Sequence, residues 1–126
     1  METPIIFDQG ETNDIINYEP IKIIQDEIEY KLNIKSKGEI FTFSINVKEQ
    51  LSYTNYIRTM TFKEIKELNK IFSILNSFND FYDFLKSLSD KKRLNIKKSN
   101  NKISIMIYLE VLLKQEIIEI DLFLGK

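Results

Sequence analysis

Polar and apolar residues alternate along two neighbouring segments in the first half of the chain. Residues 28–35 and residues 41–47 each place an apolar side chain at every second position. A period of two is typical of a half-buried β-strand. Gly38 lies between the two segments and can adopt the positive φ that a tight turn requires. The pattern therefore predicts a β-hairpin, and the β-branched and aromatic residues of 52–60 favour a third strand.

The middle of the chain changes to a helical period. Thr61 followed by Glu64 fits a capping box, and apolar residues recur every three or four positions across 65–75. A second cap at Ser77 begins a second apolar stripe over 78–88. We expect two helices of about three turns each, joined by an elbow and packed on one face of the sheet.

Alternation returns after residue 90, over 94–96, 103–109 and 118–124. These segments predict three more strands, separated by turns at 99–102 and 113–116. The predicted fold class is α+β: an antiparallel β-sheet of five to six strands, a central helix-elbow-helix on one face, and a flexible N-terminal tail. Residues 22–126 are predicted to form this single domain.

Residues 1–21 have a different character and are predicted to be an acidic N-terminal tail. They carry five acidic residues, no basic residue, both prolines and no sustained period. Two apolar clusters interrupt the acidic residues, and each could dock on a partner or on the domain itself. The clusters are Ile5, Ile6 and Phe7, followed by Ile15, Ile16 and Tyr18.

Composition excludes most enzymatic chemistry. The chain has no His and no Cys, which removes imidazole-assisted nucleophiles and thiolate or imidazole zinc sites. Its three glycines are too far apart for a dinucleotide or phosphate-binding loop. Outward carboxylates such as Glu119 and Asp121 are interpreted as solvated strand charges. We expect no enzyme activity, no cofactor, no metal and no small-molecule substrate.

The sequence contains no apolar run long enough to cross a membrane and no secretory signal pattern. We therefore expect a cytoplasmic protein, associated with the cytoskeleton, that does not bind membranes. A basic run at Lys91–Arg93, continued by Lys97, Lys98 and Lys102, raises nucleic-acid binding as an alternative. We do not favour it, because Asp90 interrupts the run and no aromatic residue is interleaved. The Ile-, Lys- and Asn-rich composition also indicates an AT-rich genome.

The last predicted hairpin exposes apolar side chains on its outer face. If its alternate isoleucines point inward, the residues between them point to solvent. A patch of this kind is typical of a partner-binding surface or of a homo-oligomer contact. The predicted patch consists of Met106, Tyr108, Ile117 and Phe123.

A hairpin, the segment TFKEIKELNKIF, an elbow, SFNDFYDFL and closing strands follow one another over residues 28–124. This pattern resembles a module of uncharacterised ciliate and other protist proteins. The order of elements is similar to the head domain shared by centriolar cartwheel proteins and DNA end-joining scaffolds. That resemblance implies a non-catalytic assembly module that dimerises or oligomerises. The stalk helix that follows such heads does not occur before Lys126, so we expect a lone head or a fragment.

These observations together predict a non-catalytic protein–protein interaction or structural module in a larger assembly, cytoskeletal or ciliary in a protist. Its expected partners are proteins, including other copies of the same chain. The alternative is a small inhibitor or immunity-type protein from an AT-rich bacterium or virus, which would mask a target protein with its acidic leader.

Overall fold

The computed structural model describes residues 15–49 and 52–125. Within these residues the chain forms eight strands, two α-helices and one 3-10 helix at Lys70–Ile74. The helices are α1 (Phe62–Lys66) and α2 (Phe78–Asp90). The strands are β1 (Ile15–Asn17), β2 (Ile21–Gln25), β3 (Ile28–Lys37), β4 (Ile40–Glu49), β5 (Ser52–Thr61), β6 (Leu94–Ser99), β7 (Lys102–Val111) and β8 (Lys114–Leu124).

The strands form one antiparallel sheet in the order β1-β3-β4-β5-β8-β7-β6, and β2 also pairs with β3. β1 and β2 lie along the same edge of β3, where β1 pairs with residues 35–37 and β2 with residues 28–32. Pro20 separates the two short strands, and it has no N–H to donate to a ladder. They are therefore two parts of one interrupted edge.

The pairing of β5 with β8 is short and divides the sheet into two halves. Only Tyr56–Leu124 and Ile57–Phe123 are in register there, whereas β7 pairs with β8 along its full length. The inner faces of both halves contribute to a single hydrophobic core. The open edges of the halves, β2 and β6, also approach each other.

Helix α2 lies against the core through its aromatic stripe. Phe81 is fully buried, and its ring meets the rings of Phe41, Phe43 and Phe72 at centroid distances of 5.7, 6.1 and 5.3 Å. These contacts have the edge-to-face geometry that aromatic pairs prefer. The phenylalanines of the central segment therefore link the helix to β4.

Both predicted helix starts are confirmed. The Thr61 side chain accepts a hydrogen bond from the Glu64 N–H, the Glu64 carboxylate accepts from the Thr61 N–H, and Ser77 caps α2. The predicted length of the first helix is wrong, since α1 has only five residues. It ends at Lys66 with Glu67 as C-cap, and Asn69 then caps the 3-10 helix by accepting a hydrogen bond from Ile71 N–H. An Asn side chain competes with the helical backbone in this way.

The predicted fold class of five to six strands around a helix-elbow-helix is also wrong, because the protein is mainly antiparallel β-sheet with two short helices. All six predicted strands are present as β3 to β8, but β1 and β2 were not predicted. β1 has three residues and β2 only five, too short for a clear period. Residues 15–17 of the predicted flexible tail are therefore paired with the sheet; residues 1–14 lie outside the described residues.

Candidate interaction surface

The β7–β8 hairpin ends in a two-residue turn made of leucines. Val111 and Lys114 are the last residues in register, which leaves Leu112 and Leu113 at the two central positions. Both have positive φ, 52° for Leu112 and 69° for Leu113. Such a turn matches the twist of the flanking strands and normally selects Asn-Gly or Asp-Gly. This hairpin instead uses two bulky apolar residues.

Leucine in the left-handed region is strained because its Cβ approaches the following carbonyl oxygen. The cost is about 1–2 kcal/mol for each residue. Another tight turn of the chain avoids this strain, since Gly38 takes the positive φ between β3 and β4. The turn between β2 and β3 uses Asp26 and Glu27, whose polar side chains suit a solvent-exposed position. The leucine turn combines backbone strain with an apolar surface.

The two leucines are also the most exposed large apolar side chains in the part of the chain that the structure describes. Leu112 is 90% exposed and Leu113 is 97% exposed. The nearest buried residue on β7 is Leu109, three residues before Leu112. At about 3.3 Å per residue, Leu112 lies about 10 Å along the strand from Leu109. We call Leu112 and Leu113 the leucine tip.

The same hairpin is held in place close to its turn by the central segment. The Asn69 side-chain amide donates a hydrogen bond of 2.9 Å to the Glu116 carboxylate on β8. Val111 packs against the core just before the turn. The leucine tip therefore projects from a supported hairpin.

The four residues of the predicted patch do not form one surface. Tyr108 on β7 lies opposite Ile117 on β8, and these two are neighbours. Phe123 lies opposite Lys102, six residues along β8 from Ile117, or about 20 Å. Ile117 and Phe123 are about half exposed, but Met106 and Tyr108 are partly buried. The predicted patch is thus divided into two separate apolar spots.

Polar residues occupy the outer face between those spots. Ser104 is buried, and its hydroxyl donates a 2.6 Å hydrogen bond to the Asp121 carboxylate. Lys102 lies 3.7 Å from the same carboxylate, and the Arg58 guanidinium donates to the Asp121 carbonyl. The hydrogen bond from Ser104 is the main reason that the pKa of Asp121 is lowered. This cluster pairs its own charges, which is typical of a structural role.

The second apolar cluster of the N-terminal region splits in a similar way. The Tyr18 ring stacks on Tyr82 at 4.7 Å, and its hydroxyl donates to the Asn79 side chain. Tyr18 is therefore an anchor of the fold against α2. Ile15 and Ile16 are about half exposed on β1, at the end of the sheet order away from β7 and β8. The first cluster, Ile5, Ile6 and Phe7, lies outside the described residues.

Metal-ion sites and membrane-spanning helices were also considered for the described residues. Over residues 15–49 and 52–125, no three carboxylates are grouped so that they could hold a metal ion. In the same residues, no helix is long and apolar enough to span a membrane.

The leucine tip was missed at the sequence level. We predicted a turn over 113–116, which does not include Leu112. The signal that could have found it is the strand pairing itself. Inward isoleucines on both strands allow only registers that differ by two residues, and the register observed, with Ile107 opposite Ile118, leaves Leu112 and Leu113 at the turn.

No protein-family model matches the chain. No curated protein matches it at the level of sequence. Among solved structures, the head domain of human CCDC61 is similar, with a TM-score of 0.62 over 89% of this chain and 97% of that chain. The two sequences are 10% identical, so the likeness is one of fold. The predicted resemblance to a head domain is confirmed at that level, and the relation to a protist module stays a prediction.

Proposed function

We propose that this chain is a non-catalytic protein–protein interaction module of a larger assembly, in the cytoplasm and associated with the cytoskeleton. The leucine tip is the observation that carries the proposal. Two apolar side chains at strained, fully exposed positions lower the stability of the isolated domain, and a contact that buries them offsets the cost. The fold similarity to a head domain supports the same class of function.

The proposed contact is between two copies of the chain related by a two-fold axis, with the tip of each copy packed against apolar surface of the other. Burying two leucines contributes about 3–6 kcal/mol. Association itself costs at least about 4 kcal/mol in lost translational and rotational freedom. A single tip contact therefore gains at most about 2 kcal/mol, a dissociation constant of tens of millimolar, whereas a two-fold pair that buries both tips reaches about the millimolar range. Weak contacts of this kind become effective when many copies are held together in one assembly.

Paramagnetic labelling tests the contact directly, because the chain has no cysteine of its own. A spin label on Lys114→Cys lies beside the tip and leaves both leucines in place. Mixed with isotope-labelled wild-type protein, it should broaden one localised set of amide signals on the other copy. A label on Lys63→Cys, an exposed site on α1, serves as the control. Absence of broadening from position 114, or equal broadening from both sites, would refute the contact.

A further inference from the structure

The outer face of the sheet over β2 to β5 is strongly basic. The strand registers place every second residue of these strands on this face, away from the core. Among the described residues that lie there, Glu29 is the only acidic one. We call this surface the lysine face, and its lysines are Lys22, Lys31, Lys35, Lys37 and Lys48.

The charges of the lysine face are not neutralised by the described part of the chain. No ion pair joins any of these lysines to another described residue. Lys22 on β2 lies directly opposite Lys31 on β3. Like charges in this arrangement destabilise a sheet. An acidic segment that covered the face would relieve the repulsion.

A hollow of about 380 Å³ lies in the lysine face, next to β1. Polar side chains of β3 and β4 line it, and among them Asn33, Thr42 and Ser44 have no hydrogen-bond partner within the described residues. Lys35 is the one charged residue in its described lining. Hydrogen-bond donors and a positive charge, with no carboxylate beside them, suit an acidic ligand.

Two apolar spots flank the hollow on the same face. Ile15 and Ile40 form the first, on either side of Lys37, and both are about half exposed. The second is Ile57, which lies between Ser44 on β4 and the half-exposed Phe123 on β8. A ligand that spans the hollow would therefore need an apolar group near each end.

We propose that residues 5–14 of this chain, which directly precede β1, bind across the lysine face. Residues 1–14 carry four acidic side chains and no basic one. The apolar cluster of Ile5, Ile6 and Phe7 would pack on Ile57 and Phe123. The carboxylates that follow the cluster would lie over the hollow and meet Lys35 and Lys37. These carboxylates belong to Asp8, Glu11 and Asp14.

The length of the segment matches the distance that it must cross. Ile15 and Ile57 are separated by three strand spacings across the sheet and four residues along it, or roughly 20 Å. The eight residues from Phe7 to Ile15 span at most about 26–29 Å. A short tether also holds the segment at an effective concentration of about the millimolar range, which favours it over an acidic segment of another protein. This contact does not involve the leucine tip.

Paramagnetic labelling of the full chain tests the proposal. A spin label on Gly10→Cys of isotope-labelled protein should broaden the amide signals of Asn33 and Ser44, which line the hollow. Gln115 and Glu116 lie about 25 Å along β8 from Phe123 and should keep their intensity. Spin-labelled protein without isotopes, mixed with isotope-labelled wild type, should broaden neither Asn33 nor Ser44, because the contact is within one chain.

Charge reversal supplies the matched control. Lys35→Glu/Lys37→Glu should abolish the broadening, whereas Lys91→Glu/Lys92→Glu makes the same change at exposed residues after α2 and should leave it intact. Equal effects of the two variants, broadening in the mixed sample, or no broadening at all would overturn the proposal. Shifts of Asn33 and Ser44 by a single-stranded oligonucleotide, without broadening from position 10, would also overturn it and assign the lysine face to nucleic acid.

Discussion

Leu112 and Leu113 occupy both central positions of the β7–β8 turn, with φ of 52° and 69°. Each is at least 90% exposed. The pair adds backbone strain and exposed apolar surface at the same place, and the isolated domain gains nothing from either. A contact that covers the leucines would explain the combination.

Replacing the tip with the residues that the turn geometry favours should stabilise the protein. Leu112→Asn/Leu113→Gly should raise the free energy of unfolding by about 1–3 kcal/mol, because Asn and Gly adopt positive φ at lower cost. Urea denaturation measures the change. Asp26→Asn/Glu27→Gly relieves the backbone strain of the equivalent turn between β2 and β3 and should also stabilise the protein. A loss of stability in the tip variant would mean that the leucines support the fold.

Removal of either central phenylalanine should destabilise the protein strongly. Phe72 and Phe81 are both buried, and their rings meet at 5.3 Å. Phe72→Ala and Phe81→Ala should each cost about 3–5 kcal/mol through lost burial and a residual cavity. Thermal or urea unfolding measures the loss. Values below about 1 kcal/mol for both would show that the helical segment does not cover the core.

Removal of the capping box of α1 should cause a smaller loss of stability. Thr61→Ala removes the side chain that accepts from Glu64 N–H and should cost about 1 kcal/mol. Lys63→Ala changes an exposed residue of the same helix and should be nearly neutral. The two variants are compared by urea denaturation under the same conditions. Equal losses would argue against a specific cap at Thr61.

The hydrogen bond between Ser104 and Asp121 predicts a pH-dependent contribution to stability. Its donor lowers the pKa of Asp121, so the folded state favours the ionised carboxylate. This stabilisation is complete above the unfolded pKa of about 3.9 and is lost as pH falls through the lower folded value. Ser104→Ala should therefore cost about 1–2 kcal/mol near pH 7 and less near pH 3. A cost that does not change with pH would assign the effect to packing alone.

The sequence predicted the parts of the fold that depend on local rules. Period-two alternation identified five strands, β-branched and aromatic composition identified β5, and Thr61 and Ser77 identified two helix starts. The predicted length of the first helix was wrong because α- and 3-10 helices place apolar residues at similar spacings. The second part of the predicted helix is a 3-10 helix capped by Asn69. β1 and β2 gave no clear signal because they are short.

The candidate sites depend on contacts between distant parts of the chain, which periodicity does not reveal. The edges of β2 and β6 are joined because Gln25 bonds to Ile96, 71 residues away. The predicted outer patch was divided because Ser104 and Asp121 fall between its apolar residues. A pattern that assigns each side chain to a face does not show which exposed residues become neighbours across the sheet.

The most direct test of the proposed function is translational diffusion of the protein measured by NMR from about 0.05 to 1 mM, the range in which a two-fold pair that buries both tips is populated. The wild type and the control Asp26→Asn/Glu27→Gly should both diffuse more slowly as concentration rises, beyond the effect of viscosity. Leu112→Asn/Leu113→Gly should diffuse as a monomer throughout, although it is the more stable protein. The same concentration dependence in all three, or monomeric diffusion of the wild type at the highest concentration, would contradict self-association through the leucine tip.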